Sequence, residues 1–221
     1  MDHQPRPAVP AKKRRRARLI HLTEQQPDWA LGFLDETWWS RLAHPALHAW
    51  ADAAQPLRVV EQTVAKDDPD RKALAAYGLR VRRPQPDGRA EQVWLRFVDG
   101  RPVSGVTTPF LAWCCAKLAA LRLRVWALSW DNASWHVSKA VRAWIRSHNQ
   151  QVKQQGAGVR ILSCYLPVKS PWLNPIEPQW VHGKRAAIEP ARLLSAHEVA
   201  DRACAYFGCP HEHHLIQERV S

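Results

Sequence analysis

The sequence lacks the features of membrane-spanning and of disulfide-bonded proteins. No apolar run approaches the roughly 18 residues that a membrane span needs. The five cysteines are an odd number without regular spacing, which favours a reducing compartment over a disulfide framework. The N-terminus is basic, but no apolar segment follows it, so it does not have the pattern of a signal peptide. We therefore expect a cytoplasmic protein without a membrane partner.

Acidic residues are scarce relative to basic ones. The chain has 32 Lys and Arg against 20 Asp and Glu, a formal net charge of +12 and a pI near 10.0. Only part of the excess lies in residues 1–28, which are rich in proline and then basic. A basic surface of this extent favours a polyanionic partner, DNA or RNA. Arg-rich composition of the genome is the alternative explanation. The basic segment is interpreted either as a flexible arm on DNA phosphates or as a solvated tail.

Periodicity predicts an α/β domain. Strands are predicted at Ala30–Leu34, Leu57–Val64, Leu74–Arg83, Val93–Val98, Val125–Trp130 and Val159–Leu166, and helices at Thr107–Leu123, Val137–Gln155, Ile176–Ile188 and Ser195–Phe207. A meander of strands followed by alternating helices and strands describes a mixed sheet, antiparallel on one side and parallel on the other, flanked by helices. No internal repeat is visible.

Two predicted strands end in acidic residues. The apolar run Val125–Trp130 stops at Asp131, and the run Ala30–Leu34 stops at Asp35, with Glu36 beside it. Ligands bind at the carboxyl ends of strands in open α/β sheets, so the two aspartates can share one rim. Adjacent residues of a strand point to opposite faces, and we therefore choose Asp35 over Glu36. An aspartate at a strand end can also be a helix N-cap or a turn former.

A third acid, Glu177, lies among prolines at a predicted helix start. If Asn174 is the N-cap and Pro175 the first helical residue, Glu177 is the acid of a capping box and serves its own helix. Pro178 disturbs that arrangement because it lacks an N–H, and an irregular start can turn the acid toward a metal. Two strand-end aspartates and a helical glutamate are what a two-metal phosphoryl-transfer site requires. Two divalent cations about 3.5–4 Å apart can clamp the attacking and leaving oxygens.

Three motifs contain these acids in order. They are Leu-Asp-Glu-Thr-Trp at 34–38, Trp-Asp-Asn-Ala-Ser-Trp-His at 130–136, and Ser-Pro-Trp-Leu-Asn-Pro-Ile-Glu-Pro-Gln-Trp at 170–180. Together they resemble the DDE transposases of bacterial insertion sequences related to the mariner group. The resemblance implies an RNase H-like fold, with a five-stranded mixed sheet flanked by helices. We assign the catalytic domain to residues 29–208, a basic flexible arm or linker to 1–28 and a polar C-terminal tail to 209–221.

The resemblance also implies roles for particular residues. Asp35, Asp131 and Glu177 would be the catalytic residues and would hold two magnesium or manganese ions. Contacts to DNA are expected from His136, Asn174, Lys184, Lys12, Lys13, Arg14, Arg15 and Arg16. The implied activity is metal-dependent cleavage and strand transfer at the ends of an insertion sequence. The alternatives are a non-catalytic DNA-binding remnant and an RNase H-like nuclease with another substrate.

The family resemblance extends to partners. It implies terminal inverted repeats and target DNA as substrates, a homodimer on DNA, and association with the bacterial nucleoid. Relatives carry a helix-turn-helix region upstream, so we expect a partner chain to supply it. The Cys and His residues between 209 and 214 match no closed zinc pattern, and we expect a solvated tail there.

Overall fold

A six-stranded sheet runs through the part of the chain that the computed structural model describes, namely residues 8–42, 63–85, 88–168, 170–189 and 192–216. The strands are β1 (Trp29–Ser40), β2 (Ala73–Gln85), β3 (Gly88–Asp99), β4 (Val125–Trp130), β5 (Arg160–Tyr165) and β6 (Leu215–Ile216). Their order is β5-β4-β1-β2-β3-β6. The β1–β2–β3 meander is antiparallel, and β1, β4 and β5 are parallel. The predicted α/β class and mixed sheet are therefore confirmed.

The strand β1 is central and longer than predicted. Its first half pairs with β4, from Trp29 to Phe33, whereas its whole length beyond residue 30 pairs with β2. Because β4 ends at Trp130, the second half of β1 is paired along one edge only, with β2. Asp35 and Glu36 lie just beyond the point where the pairing with β4 stops, next to the residues that follow β4. The topology therefore brings the two predicted strand-end acids to one rim.

Helices cover both faces of the sheet. They are α1 (Ala8–Gln25), α2 (Ser104–Ala120), α3 (Lys139–Gln155), α4 (Glu177–Ala187) and α5 (Ala196–Phe207). Alternate residues of the strands divide the core: Tyr77 and Leu79 of β2 pack with α2 and α3, whereas Leu74 and Ala76 pack with α4 and α5. The helix α1 covers a third, smaller cluster on the same face as α4, formed by Leu31 and its neighbours on β1 and β4. None of the helices in the described ranges is long and apolar enough to cross a membrane.

Residues 8–25 differ from the flexible arm expected for the N-terminal segment. They form the helix α1, whose less exposed positions, among them Arg16, Ile20 and Thr23, recur every three or four residues. Leu19 and Ile20 pack on Phe33, and burial of this apolar stripe stabilises a helix whose other face is basic. The apolar periodicity of α1 is weak in the sequence because the aliphatic parts of Lys and Arg side chains occupy part of the face that packs on the sheet. The domain boundaries at 28 and 208 stay a prediction.

Two other differences concern the strands. The segment after Cys209 is not simply a solvated tail, because β6 pairs in parallel with the end of β3, Leu215 opposite Val98. This short strand makes the sheet six-stranded rather than five-stranded. Most of the predicted strand Leu57–Val64 lies outside the described residues, and residues 63 and 64 are not in a strand.

Candidate active site at the end of the central strands

Asp35 occupies the face of β1 that packs against α4. Its Oδ2 accepts a hydrogen bond of 2.8 Å from Nε1 of Trp180. Burial raises the pKa of Asp35 to about 7; the Trp180 bond opposes this rise, and the negative charges of Glu36, Glu177 and Asp131 add to it. The structure therefore gathers four carboxylates closely enough for their charges to act on one another. Such a site favours a cation.

Asp131 directly follows β4 and keeps half of its side chain exposed. It does not cap α3, because Ser138 does so by accepting a hydrogen bond from the backbone N–H of Val141. Its Oδ1 accepts from the backbone N–H of Ala133 at 2.9 Å, a turn contact, and lies 2.7 Å from Nδ1 of His136. Burial raises the pKa of Asp131, but these hydrogen bonds outweigh burial and lower it. Asp131 is therefore a carboxylate held ionised at the rim.

Glu36 is part of the site, although the sequence analysis set it aside. Its Oε1 lies 2.7 Å from Nε2 of His136 and 3.3 Å from Nε1 of Trp135. His136 is 0% exposed and bridges two carboxylates. Burial alone would lower the pKa of His136, but Glu36 and Asp131 outweigh it and raise the pKa to about 9. The sequence signal for the contact with Asp131 is that His136 follows it by five residues. The contact with Glu36 could not be predicted from local pattern, because Glu36 lies 100 positions earlier in the chain.

Glu177 is the first residue of α4, not the third. The side chain of Asn174 does not cap the helix; its Nδ2 donates to the carbonyl of Leu34 at 3.1 Å, and its backbone carbonyl accepts from the N–H of Glu177 at 3.2 Å. The capping-box interpretation is therefore wrong. Burial and the charge of Asp131 raise the pKa of Glu177, and the two acids line the same surface cleft. Asn174 ties the start of α4 to β1 one residue before Asp35.

Three residues near the acids, His136, Asn174 and Lys184, were predicted to contact DNA, and they differ in how exposed they are. His136 is 0% and Asn174 1% exposed, and a contact of either side chain with DNA stays a prediction. Both connect the segments that carry the acids. Lys184 of α4 is half-buried; burial lowers its pKa, and the negative charge of Asp35 opposes that shift. Lys184 thus lies within electrostatic range of the site.

The predicted arm residues divide between the two faces of α1. Lys12 donates from Nζ to Oδ1 of Asn132 at 3.0 Å and to the carbonyl of Leu166 at 3.2 Å, which anchors the helix beside the rim. Arg16 lies over the ring of Phe33, 5.6 Å from its centroid. The other three, Lys13, Arg14 and Arg15, are exposed. Arg15 also donates from Nη2 to the carbonyl of Ser163 at 3.0 Å, and the exposed Arg18 adds to the basic surface that Lys13, Arg14 and Arg15 present.

These features define an RNase H-like α/β domain with a cluster of acids at the end of its central strands. Residues 107–199 match the model of a family described as DDE superfamily endonuclease, and this range contains Asp131 and Glu177 but begins after Asp35. The match and the fold confirm the resemblance to DDE transposases. Residues 107–199 are thus similar to the DDE superfamily endonucleases, and the chain has the fold of a transposase catalytic domain.

Similar solved structures agree on the fold. The Mos1 transposase paired-end complex with left transposon end has a TM-score of 0.58 and 16% identity, over 95% of this chain and 57% of that chain. The Mos1 mariner paired end complex with Mn has a TM-score of 0.58 and 16% identity, over 94% and 57%. The catalytic domain of Mos1 mariner transposase has a TM-score of 0.53 and 14% identity, over 95% and 86%. None of the curated proteins matches the chain. The chain thus spans little more than half of the full transposase chains.

Proposed function

We propose that this chain cleaves DNA strands at the ends of a mobile element and joins them to target DNA. The observation that carries this proposal is the position of Asp35 on the central strand, bound to Trp180 of α4, close to the cleft that Asp131 and Glu177 line. Burial raises the pKa of Asp35, and the charges of Glu177 and Asp131 add to that rise. Acids that converge from β1, the end of β4 and the start of α4 repel one another, which destabilises a fold unless a cation binds between them. The family match supports a nuclease, and the fold supports a transposase.

Asp35, Asp131 and Glu177 would hold two divalent cations, magnesium or manganese. The donor set fits them, because carboxylate oxygens are the ligands that these ions prefer. Trp180 and His136 each bind one oxygen of their carboxylate, which leaves Asp35 Oδ1 and Asp131 Oδ2 for a cation. When bound, such ions lower the pKa of a nucleophile and neutralise the charge that develops on a phosphodiester. The Mos1 complex with Mn is consistent with this choice.

The protein's own contribution is positioning. His136 holds Asp131 through its Nδ1 and is itself held by Glu36, so the rim after β4 is tied to β1. Trp180 fixes one oxygen of Asp35, and Asn174 fixes the segment before Glu177. Acids held in this way need little rearrangement when the substrate binds. A phosphoryl-transfer site gains most of its rate from such positioning, because the groups that stabilise the transition state are already in place.

DNA is the proposed substrate. The net charge of +12 and the exposed basic face of α1 suit a polyanion. Relatives have been solved as a paired-end complex with a transposon end and as a strand transfer complex. By analogy, we propose terminal inverted repeats and target DNA as substrates, a homodimer on DNA, a helix-turn-helix region supplied by a partner chain, and action at the nucleoid of a bacterial cell.

The test compares Asp131→Asn with Asp67→Asn, a matched loss of an exposed carboxylate in the turn before β2. Strand cleavage and joining are measured with Mg²⁺ or Mn²⁺ on DNA that carries the sequences flanking the gene, and Mn²⁺ affinity is measured by calorimetry. We expect Asp131→Asn to abolish cleavage and weaken Mn²⁺ binding at least tenfold while the circular dichroism spectrum is unchanged, and Asp67→Asn to behave as wild type. Equal cleavage by both variants would refute the assignment of Asp131.

The same assay separates the alternatives. Cleavage followed by strand joining supports a transposase. Cleavage of RNA–DNA hybrids or branched DNA without joining would support a nuclease of another kind. Binding of DNA and Mn²⁺ without any cleavage, even with a partner chain added, would identify a non-catalytic remnant.

A further inference from the structure

A second group of potential metal ligands lies at the β3–β6 edge of the sheet, where the segment after Cys209 folds back on α5 and β3. His211 and His214 face each other with their Nε2 atoms 3.1 Å apart. The Nδ1 of His211 lies 2.6 Å from Oδ1 of Asp201, and the Nδ1 of His214 lies 3.0 Å from Oδ1 of Asp99. Both rings pack on Phe97, with centroids 5.7 and 5.6 Å from its own. The two imidazoles are therefore held by carboxylates at one end and face each other at the other.

The hydrogen bonds determine the tautomers of these rings. An ionised carboxylate only accepts hydrogen bonds, so the Nδ1 atoms that contact Asp201 and Asp99 must carry the protons. Each neutral ring then has a lone pair on Nε2. Two lone pairs 3.1 Å apart repel unless a cation lies between them, either a proton or a metal ion. The observed spacing suits a metal, because two nitrogens each about 2.0–2.1 Å from a tetrahedral zinc ion lie about 3.3 Å apart.

The surroundings have the organisation of a metal site. Histidines that bind metals usually donate their other N–H to a carboxylate, which fixes the ring, and Asp201 and Asp99 do this here. A further donor is near: His197 of α5 has its ring centroid 5.1 Å from that of His211. One ligand atom each of His197, Asp201 and His211 lie within 4.8 Å of one another.

We propose that this cluster is a binding site for one zinc-class divalent ion, ligated by the Nε2 atoms of His211 and His214, with the neighbouring His197 as a further donor. Asp201 and Asp99 orient the two ligating rings. Imidazole donors select zinc-class ions over magnesium, so this site and the carboxylate site at the rim take different metals. The ion would link α5 to the end of β3 just before β6, and it would stabilise this edge of the sheet. The expectation of a solvated tail failed here because two members of the cluster come from α5, outside the local spacing.

The test uses the untagged full chain, stripped with a chelator, in buffer containing excess Mg²⁺ to occupy the carboxylate site. Zinc affinity is measured by competition with a chromophoric chelator, and Co²⁺ is used as a spectroscopic probe. The variants are His211→Ala, His214→Ala and Asp99→Asn. The matched control is His213→Ala, which removes a neighbouring histidine whose backbone carbonyl, rather than its ring, is bound by Arg96.

We expect the wild-type chain and His213→Ala to bind one zinc ion with equal affinity and to gain thermal stability from it. Affinity should fall at least tenfold in His211→Ala and His214→Ala, and about tenfold in Asp99→Asn. Co²⁺ should give the visible absorption of a nitrogen-ligated four-coordinate ion in the wild type, a result that does not depend on how well the variants fold. Equal zinc binding by the wild type and His214→Ala, or no Co²⁺ absorption, would overturn the proposal.

Discussion

The Nδ1 atom of His136 lies 2.7 Å from the Oδ1 atom of Asp131. The ring of His136 is fully buried and stacks on Trp130, with centroids 4.5 Å apart. Its second nitrogen contacts Glu36 on the central strand. The acid that follows β4 is thus fixed relative to β1 by a single imidazole. If this account is right, the two contacts of that imidazole have separable effects.

Replacing His136 by Asn or by Gln separates the two contacts. The amide of Asn can replace Nδ1 and hold Asp131, whereas the amide of Gln can replace Nε2 and hold Glu36. His136→Asn leaves the buried Glu36 short of a partner, and we expect it to cost about 1–3 kcal/mol of unfolding free energy. His136→Gln leaves the half-exposed Asp131 short of a partner and should cost less, because water can replace that hydrogen bond. Misplacing a catalytic group by about 1 Å can cost about 100-fold in rate, so His136→Gln should lose far more metal-dependent cleavage than His136→Asn.

Urea denaturation and single-turnover cleavage measure the two effects of the His136 variants. Equal rates for His136→Asn and His136→Gln would mean that the hydrogen bond to Asp131 does not position the acid for reaction.

Gly78 leaves space for the ring that holds Asp35. It lies opposite Asp35 in the register of β1 and β2, and a Cβ added to it would come within 2.1 Å of Cη2 of Trp180. Gly78→Ala should therefore displace Trp180, cost about 1–3 kcal/mol of stability and lower cleavage. The double variant Gly78→Ala/Trp180→Leu relieves the overlap but cannot donate to Asp35. We expect it to regain stability in urea denaturation without regaining activity; recovery of both would show that the Trp180 hydrogen bond is dispensable.

The exposed basic face of α1 should contribute to DNA affinity by neutralising phosphates. Replacing Lys13, Arg14 and Arg15 by Gln should weaken binding at low salt. It should also reduce the slope of log K against the logarithm of the salt concentration by about 0.9 for each phosphate that the variant no longer neutralises. The matched control replaces Lys139, Arg142 and Arg146, three exposed residues of α3 on the opposite face of the sheet. Fluorescence anisotropy over a salt series provides the slopes. Equally weakened binding in both triple variants would indicate that charge alone, not the α1 surface, determines affinity.

The N-terminus of α5 should make stability depend on pH. Glu198 and Ser195 form a capping box, and Arg192 pairs with Glu198. These hydrogen bonds lower the pKa of Glu198 from 4.5 to about 2. A lowered pKa in the folded state means that the stabilisation is complete above about pH 4.5 and is lost as the pH falls toward 2. The difference in urea midpoint between wild type and Glu198→Gln should therefore be constant above pH 5 and shrink by pH 3. A difference of the same size at pH 3 and 7 would contradict this.

Sequence pattern was most informative where one segment alone determines the structure. The boundaries of β4, Val125–Trp130, were predicted as the structure has them, because a fully buried parallel strand is a continuous apolar run with sharp ends. The helix α5 was predicted within one residue of its start, since its capping box begins at Ser195. The candidate acids themselves were found from strand ends and motif resemblance.

Pattern failed where distant segments determine the outcome. Glu36 joins the site only because β4 ends beside it, and no property of residues 29–40 encodes where β4 ends. The helix start at Glu177 depends on the contact of Asn174 with Leu34, 140 positions away. The cluster around His211 combines α5, β3 and the segment before β6, so its spacing along the chain resembles no local metal motif.

The central claim is that Asp35, Asp131 and Glu177 share divalent cations. Anomalous diffraction from crystals of the chain soaked in Mn²⁺ tests this most directly, since the manganese signal locates each ion without any assumption about activity. The account predicts Mn²⁺ peaks within about 2.5 Å of carboxylate oxygens of these three residues, and their loss in Asp131→Asn. Wild-type crystals that bind Mn²⁺ elsewhere, with no peak between the three acids, would contradict it.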